Sequence, residues 1–268
     1  MRLPPASIVT ALRRQNDAWL ERSLRSALGQ TVRAEVVVVT ADETPSSNLA
    51  VLHRLGSEVG DRLRVYRRPR PGFAVALNEA VRRARGNRIG LLHSDDWLAP
   101  EAIEASLDLD ADIVSAGKQI WSEGDGGELQ MQLEWIGSSR KYESLATIEQ
   151  RARYLTHFLF LSRPLVIAVG GVDESLGDLS GVDDFELLWR MLEAGASAAF
   201  TSSSHYRVRD HRGDRLTLQP AADQLVTLAR ILDKHGVDSA SRAEIIPDHV
   251  RWYGRTISDV LREDDEAS

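Results

Sequence analysis

Four short apolar runs alternate with helical patterns over the first hundred residues. The runs cover residues 6–10, 34–40, 63–66 and 89–92 and have the length and composition of buried strands. Leucines repeat every four residues in the first intervening segment, residues 16–28, and comparable helical spacing occurs in the two segments that follow. A β-α-β-α-β-α-β order favours an α/β fold with a parallel sheet and right-handed crossovers.

The second half of the chain is less regular. A helix is predicted over residues 101–107, strands over 112–116 and 119–122, a turn over 124–127, and a last strand over 198–202. The segment 141–154 is a polar helix or loop, the segments 158–161 and 165–169 are apolar, and a helical stripe ends at Gly195. From Pro220 onward the pattern is helical, and the last seven residues form a charged segment that we expect to fray. We therefore predict a main domain at 1–217 and a C-terminal helical extension with a disordered acidic tail at 218–268.

The charge balance argues against a nucleic-acid partner. The 268 residues include 33 lysines and arginines and 40 aspartates and glutamates, which gives a net charge of −7. Arginines nevertheless cluster at residues 64–70 and 207–215, where they suit either a small anionic ligand or a solvated surface. The chain contains no cysteine, and it has neither a signal peptide nor an apolar run that could span a bilayer. These features predict a cytoplasmic protein without a transmembrane segment.

Two neighbouring carboxylates, Asp95 and Asp96, follow the fourth predicted strand. Ligands of open α/β sheets bind beyond the carboxyl ends of the strands, and a cation held by carboxylates can bind a diphosphate there. The same acids could instead cap the helix that follows.

Four ordered stretches of the sequence resemble the family 2 inverting glycosyltransferases. These enzymes have the nucleotide-sugar-binding fold called GT-A, with a mostly parallel central sheet and helices on both of its faces. The matching stretches are residues 20–40, 76–98, 170–176 and 181–195, and the resemblance spans roughly residues 6–215. It implies transfer of one hexose-like sugar from a nucleoside-diphosphate donor (UDP-, GDP- or dTDP-linked) to the hydroxyl of an unknown acceptor.

The resemblance also implies roles for individual residues. Asp95, at the last acid of the family's Asp-x-Asp motif, should bind Mn²⁺ or Mg²⁺, together with His211. Arg209 occupies the likeliest place of the family's late histidine, two residues before His211, and would contact the diphosphate by its charge instead. Asp184 should be the general base, since it lies in the segment that carries the base in the family and begins the helix predicted there; a helix cap is the alternative for it. The motif departs from the pattern at His93, where the family usually has an aspartate.

A further group of positions resembles the family's contacts to the nucleotide sugar. Each could also be structural, and Asp42 replaces a pair of aspartates after the second strand. The group consists of Thr10, Asp42, Arg70, Asn78, His93, Ser94, Asp96, Asp183, Arg209 and Arg212.

Two other functions remain open at this stage. A sugar nucleotidyltransferase would share a similar sheet, but residues 10–16 lack the glycine-rich phosphate loop of those enzymes. A degenerate, non-catalytic relative could bind a nucleotide or a protein partner, and the histidine at position 93 favours it. The C-terminal helices could cover the acceptor cleft or form a homodimer interface.

Overall fold

A computed structural model describes residues 3–68, 72–124, 127–177, 183–213 and 218–266. Two sheets organise this part of the chain. The strands are β1 (Ala6–Leu12), β2 (Glu35–Thr40), β3 (Leu63–Arg67), β4 (Arg88–Leu91), β5 (Trp97–Leu98), β6 (Ile113–Ser115), β7 (Lys118–Glu123), β8 (Leu129–Trp135), β9 (Leu159–Ser162), β10 (Ala198–Phe200) and β11 (Tyr206–Asp210).

Helices connect most of these strands. They are α1 (Asp17–Leu28), α2 (Ser46–Val59), α3 (Phe73–Arg83), α4 (Ala102–Leu107), α5 (Ser139–Glu143), α6 (Ile148–Tyr154), α7 (Arg163–Ala168), α8 (Asp183–Glu193), α9 (Ala221–Lys234), α10 (Ser239–Val250) and α11 (Ile257–Glu266). Short 3₁₀ turns occupy Gly60–Arg62 and Glu174–Leu176. The apolar segment at 165–169 thus lies mainly in α7, because Pro164 occupies the first turn of that helix.

The larger sheet confirms the predicted α/β architecture. Its strand order is β10-β6-β9-β4-β1-β2-β3, and only β9 runs antiparallel to its neighbours. Consecutive valines of β2 alternate between two apolar cores: Val37 and Val39 pack in one, Val36 and Val38 in the other. Helices α3, α8 and α9 contribute to the first core, and α1, α2 and α4 to the second. The sheet is therefore covered by helices on both faces.

A smaller sheet, in the order β5-β11-β7-β8, lies beside the carboxyl end of β4. The sequence pattern did not predict β5, β8 or β11, and β11 rather than the segment at 198–202 is the last strand described. Strand β5 has only two residues, and β11 alternates arginine with apolar side chains, so neither presents a run of apolar residues. This small sheet supplies the second wall of the candidate site.

The predicted C-terminal helices are present and pack on the rest of the chain. Leu228, Ile231 and Leu232 of α9 are fully buried in the first core. Asp210 of β11 accepts hydrogen bonds from the backbone N–H groups of Ile257 and Ser258, at the start of α11. Helix α11 extends to Glu266, into the charged segment for which the sequence predicts fraying. The division into two domains near residue 217 stays a prediction.

Candidate functional site

Antiparallel pairing of β9 with β4 determines which side chains meet at the site. Gly90 of β4 pairs with Phe160 of β9, so β9 begins beside the carboxyl end of β4. A side chain at Gly90 would collide with the ring of Phe158, which explains a glycine within a buried strand. His93, just after β4, and His157, just before β9, are thereby brought together.

Asp96 connects the loop after β4 to β11. Its side chain is 5% exposed, and its two carboxylate oxygens accept hydrogen bonds from the Tyr206 hydroxyl and the Arg209 backbone N–H, both at 2.8 Å. Burial and the charge of Asp96 raise the pKa of Tyr206 well above its usual value, so this tyrosine remains a hydrogen-bond donor. These contacts give Asp96 a structural role in the loop.

Asp95 lies next to His211, which directly follows β11 of the small sheet. Its Oδ2 lies 3.1 Å from Nε2 of His211, and the ring of Trp19 packs against His211 with 4.6 Å between centroids. Both side chains are partly exposed, at 16% for Asp95 and 12% for His211. One carboxylate and one imidazole therefore meet at the edge of the cleft, and this pair of ligands suits a divalent cation.

Arg209 lies behind this pair. Its guanidinium stacks against Trp19 and Trp97, at 4.5 and 5.3 Å from the ring centroids, and only 3% of the residue is exposed. Burial lowers the pKa of Arg209, as does the nearby charge of Arg22. Arg212, in contrast, has a side chain that is 73% exposed and binds Asp259 of α11.

Asp184 lies in the first turn of α8 and forms the other half of the site. Its Oδ1 accepts the backbone N–H of Phe185 at 2.8 Å, and its Oδ2 lies 3.1 Å from Nε2 of His157. Burial would raise the pKa of this carboxyl group, but the hydrogen bond from His157 and the nearby His93 outweigh burial and lower the pKa to about 2. Asp184 is therefore ionised at neutral pH, and its side chain remains 31% exposed.

A chain of contacts joins the two carboxylate centres. The Tyr206 hydroxyl, which donates to Asp96, accepts the backbone N–H of His93 at 3.1 Å. Nε2 of His93 lies 3.3 Å from Nε2 of His157, and the His157 ring stacks on Tyr206 at 5.3 Å between centroids. The position of Asp184 is therefore coupled to the loop that carries Asp95.

Lys118 brings a positive charge to the same region. It pairs with Tyr206 across the ladder between β7 and β11. Burial lowers the pKa of its amine, partly opposed by the charges of Asp184 and Asp96. Within the described residues, the amine makes no hydrogen bond or ion pair.

Residues 7–165 match the sequence model of Glycosyl transferase family 2, which covers more than half of the chain. The chain belongs to this family.

Curated relatives are much longer than this chain. Chondroitin synthase of Pasteurella multocida (strain Pm70) is 38% identical over 89 residues, which are 33% of this chain and 9% of that protein. The O-antigen biosynthesis protein RfbC of Myxococcus xanthus is 28% identical over 211 residues, 78% of this chain and 16% of that protein. The chain thus spans less than a fifth of the length of either relative.

Solved structures of glycosyltransferases share the fold. S. aureus TarS 1-349 in complex with UDP-GlcNAc aligns with a TM-score of 0.63 and 15% identity, over 92% of this chain and 72% of that one. GalNAc-T7 with UDP, GalNAc and Mn²⁺ aligns with a TM-score of 0.64 and 16% identity, over 86% of this chain and 48% of that one. The GT-A fold predicted from the sequence is confirmed. Across the described ranges, no helix is both long and apolar enough to cross a membrane.

Several of the predicted nucleotide contacts have partners within the protein. Asn78 donates to the backbone carbonyl of Val172 and accepts its N–H, both at 2.8 Å, which holds the turn around Gly171. Asp42 forms an ion pair with Arg67 at 2.8 Å. These contacts do not support the assignment of either residue to the nucleotide, which stays a prediction.

The other predicted contacts vary in their surroundings. Thr10 is fully buried in β1, and its hydroxyl has no partner among the described residues. Ser94, in the loop after β4, accepts a hydrogen bond from the side chain of Gln15 at 3.3 Å. Arg70 and the side chain of Asp183 lie outside the described parts of the structure.

Sequence reasoning missed His157, Tyr206 and Lys118 as parts of the site. His157 precedes an apolar run, which is an ordinary feature of any strand, and only the antiparallel insertion of β9 places it beside His93. Tyr206 lies in a segment noted for its arginines and for His211. Polar residues flank the apolar run at 158–161, just as polar residues follow the end of β4. This similarity is the sequence signal that could have indicated a second strand next to the site.

Proposed function

We propose that this protein is a metal-dependent, inverting glycosyltransferase that moves one sugar from a nucleoside-diphosphate sugar to an acceptor hydroxyl. The observation that supports this most is the separation of two carboxylates into different environments. Asp95 pairs with His211, whereas Asp184 is held by His157 and stays ionised. One carboxylate is thus available to a cation and the other to a proton.

Asp184 would act as the general base. The acceptor hydroxyl attacks the anomeric carbon from the face opposite the diphosphate, and its proton passes to the Asp184 carboxylate. The new bond joins the acceptor oxygen to the anomeric carbon, the bond from that carbon to the diphosphate oxygen breaks, and the nucleoside diphosphate leaves with the bonding electrons. The configuration of the sugar is inverted because a single displacement occurs.

The residues present fit a divalent cation. Asp95 and His211 offer one oxygen and one nitrogen ligand, and Mg²⁺ sites commonly combine one or two protein ligands with substrate phosphates. Within the described ranges, no three histidine, aspartate or glutamate side chains converge as a metal site, so phosphate oxygens and water would complete the coordination. A cation bound there would neutralise charge on the departing diphosphate.

The donor that we propose first is a UDP-sugar. Both structural neighbours named above were solved with UDP or a UDP-sugar, and one of them with Mn²⁺. GDP- and dTDP-sugars remain alternatives, and the acceptor is an unspecified hydroxyl compound. The lack of cysteine supports the predicted cytoplasmic location as part of this proposal.

A panel of nucleoside-diphosphate sugars tests the proposal directly. Release of nucleoside diphosphate would be measured for each donor with Mn²⁺, with Mg²⁺ and with a chelator, and NMR would give the anomeric configuration of any transfer product. We expect release from one class of donor, dependent on the cation, and an inverted product. Binding of donors without any turnover would favour the non-catalytic alternative, and retention of configuration would exclude Asp184 as the base of a single displacement.

A further inference from the structure

His157 is in direct contact with the proposed base, and no role has been assigned to it so far. It precedes β9, and its Nε2 lies 3.1 Å from Oδ2 of Asp184. Its ring is held on one side by the stacked ring of Tyr206, and His93 meets its edge at 4.8 Å between centroids. The imidazole is therefore fixed in position by Tyr206 of β11 and by His93 in the loop after β4.

The partners of the two ring nitrogens determine where the hydrogen of His157 lies. An ionised carboxylate only accepts hydrogen bonds, so Nε2 must carry the hydrogen that points to Asp184. Nδ1 is buried and has no hydrogen-bond partner within the described residues. Nε2 is therefore the nitrogen that donates to Asp184, and it also lies 3.3 Å from Nε2 of His93.

Two hydrogen bonds then define the plane of the Asp184 carboxylate. Oδ1 accepts the backbone N–H of Phe185 and Oδ2 accepts the hydrogen of His157. Each oxygen keeps a lone pair that can point to the cleft, since 31% of the side chain is exposed. Without His157, rotation about the Cβ–Cγ bond would be limited by a single contact.

We propose that His157 is the positioning residue of the base, which orients the Asp184 carboxylate toward the acceptor. This inference rests on the proposed function for the role of Asp184, but the contact itself can be tested without turnover. No part of the proposal requires His157 to touch the substrate.

The charged groups around Asp184 give the expected direction of its pH dependence. Burial raises the pKa of the carboxyl group, whereas His157 and His93 lower it, and Lys118 faces it from β7. Loss of the hydrogen bond from His157 leaves burial less opposed. The pKa of Asp184 should then rise from about 2 to above its usual value of 3.8.

The test compares His157→Leu, which removes the donor, with His157→Gln, whose amide nitrogen can donate from nearly the same place. Asp carboxyl groups would be labelled with ¹³C, and the Asp184 signal assigned by its absence in Asp184→Asn. We expect this signal to titrate above pH 4 in the Leu variant, and to stay ionised at pH 4 in the wild type and the Gln variant. The acid limb of the pH profile of kcat/KM should shift to higher pH in the Leu variant and stay in place in the Gln variant. In the Leu variant kcat should fall roughly 10- to 100-fold, while the KM for the donor changes little.

The two readouts separate this inference from the proposed function. An Asp184 signal that titrates identically in wild type and His157→Leu would overturn the positioning role, even in an active enzyme. A shifted signal in a protein that turns over no donor would support the positioning role and reject the proposed reaction. If the Leu variant does not fold, His157→Asn replaces it, because its shorter amide stays polar but falls short of Asp184.

Discussion

Nε2 of His211 and Oδ2 of Asp95 lie 3.1 Å apart, although 116 positions separate the two residues in the chain. Strand β11 brings them together, because it pairs with β5 directly after the loop that carries Asp95. Trp19 packs against the imidazole from α1 and limits its freedom to turn away. The proposed cation would thus meet one carboxylate and one imidazole, from two walls of the cleft.

The first prediction is that nucleotide and metal stabilise the fold together by more than the sum of their separate effects. A ligand that binds only the folded state raises its stability, and a cation shared between Asp95, His211 and a diphosphate couples the two binding events. Melting temperatures would be measured with UDP, with Mn²⁺ and with both. We expect His211→Gln to lose most of the extra stabilisation, and His53→Gln, at an exposed position on α2, to keep it. Equal affinity for UDP in chelator and in Mn²⁺ would contradict the metal assignment.

The second prediction concerns the proton acceptor. Asp184→Asn keeps the size of the side chain and can still accept the N–H of Phe185, but it cannot take up a proton. We expect donor binding to change little, while transfer falls by roughly 100- to 10,000-fold. Stability should fall modestly, because the single amide oxygen cannot accept from both Phe185 and His157. Asp238→Asn makes the same chemical change at the N-cap of α10, where Asn serves equally well, and should leave transfer unchanged. Wild-type turnover in Asp184→Asn would mean that another group is the base.

Sequence patterns predicted the parts of this fold that depend on local burial, but not the parts that depend on contacts between residues distant in the sequence. The pattern of valines in β2 and the helix stripes report local burial, so the first four strands, their helices and the parallel pairing of those strands could be predicted. Asp95 was singled out by its place after the fourth predicted strand, whereas Asp184 and His211 were proposed as site residues only through resemblance to a family. His157 could not be found in this way, because its role depends on a strand that enters the sheet antiparallel from more than 60 residues away.

The small sheet also could not be predicted from local sequence patterns. Trp97 and Arg207 pair across β5 and β11, yet neither strand has the apolar run that marks a buried strand in a sequence. Their stability comes from side-chain contacts across the sheet and from the hydrogen bonds of Asp96. Such contacts join residues that are distant in sequence and follow from the folded backbone.

A third prediction tests the hydrogen-bond network behind the site. Tyr206→Phe removes the donor to Asp96 and the acceptor of the His93 N–H, so a buried carboxylate loses one partner. We expect the free energy of unfolding to fall by roughly 1–3 kcal/mol. Tyr253→Phe is the matched control, because the Tyr253 hydroxyl is buried and has no partner among the described residues; its loss should be neutral or slightly stabilising. Urea denaturation of both variants measures the difference, and equal destabilisation would show that the Tyr206 hydroxyl contributes no net stability.

The last prediction contrasts two lysines whose pKa values shift in opposite directions. Burial lowers the pKa of Lys118 below 10.5, so its charge costs stability in the folded state. Burial also lowers the pKa of Lys234, but hydrogen bonds to Asp173 and Glu186 outweigh this effect and raise the pKa of that lysine. The loss of stability that the Lys118 charge causes is fully present below the pKa of this lysine in the folded state. It disappears above pH 10.5, where the amine is neutral in both the folded and the unfolded state. The gain at Lys234 is present below 10.5 and is lost as the pH rises through its raised pKa.

Replacement of each lysine by methionine should therefore have effects of opposite sign at neutral pH. We expect Lys118→Met to stabilise the protein by roughly 0.5–2 kcal/mol, as is common when a strained functional group is removed. Lys234→Met should destabilise it by roughly 1–3 kcal/mol, because the buried Glu186 loses a charged partner. Thermal unfolding at pH 7 and pH 10 measures both effects, and the gain from Lys118→Met should shrink at the higher pH. A loss of stability in Lys118→Met at pH 7 would show that the lysine is paired in solution.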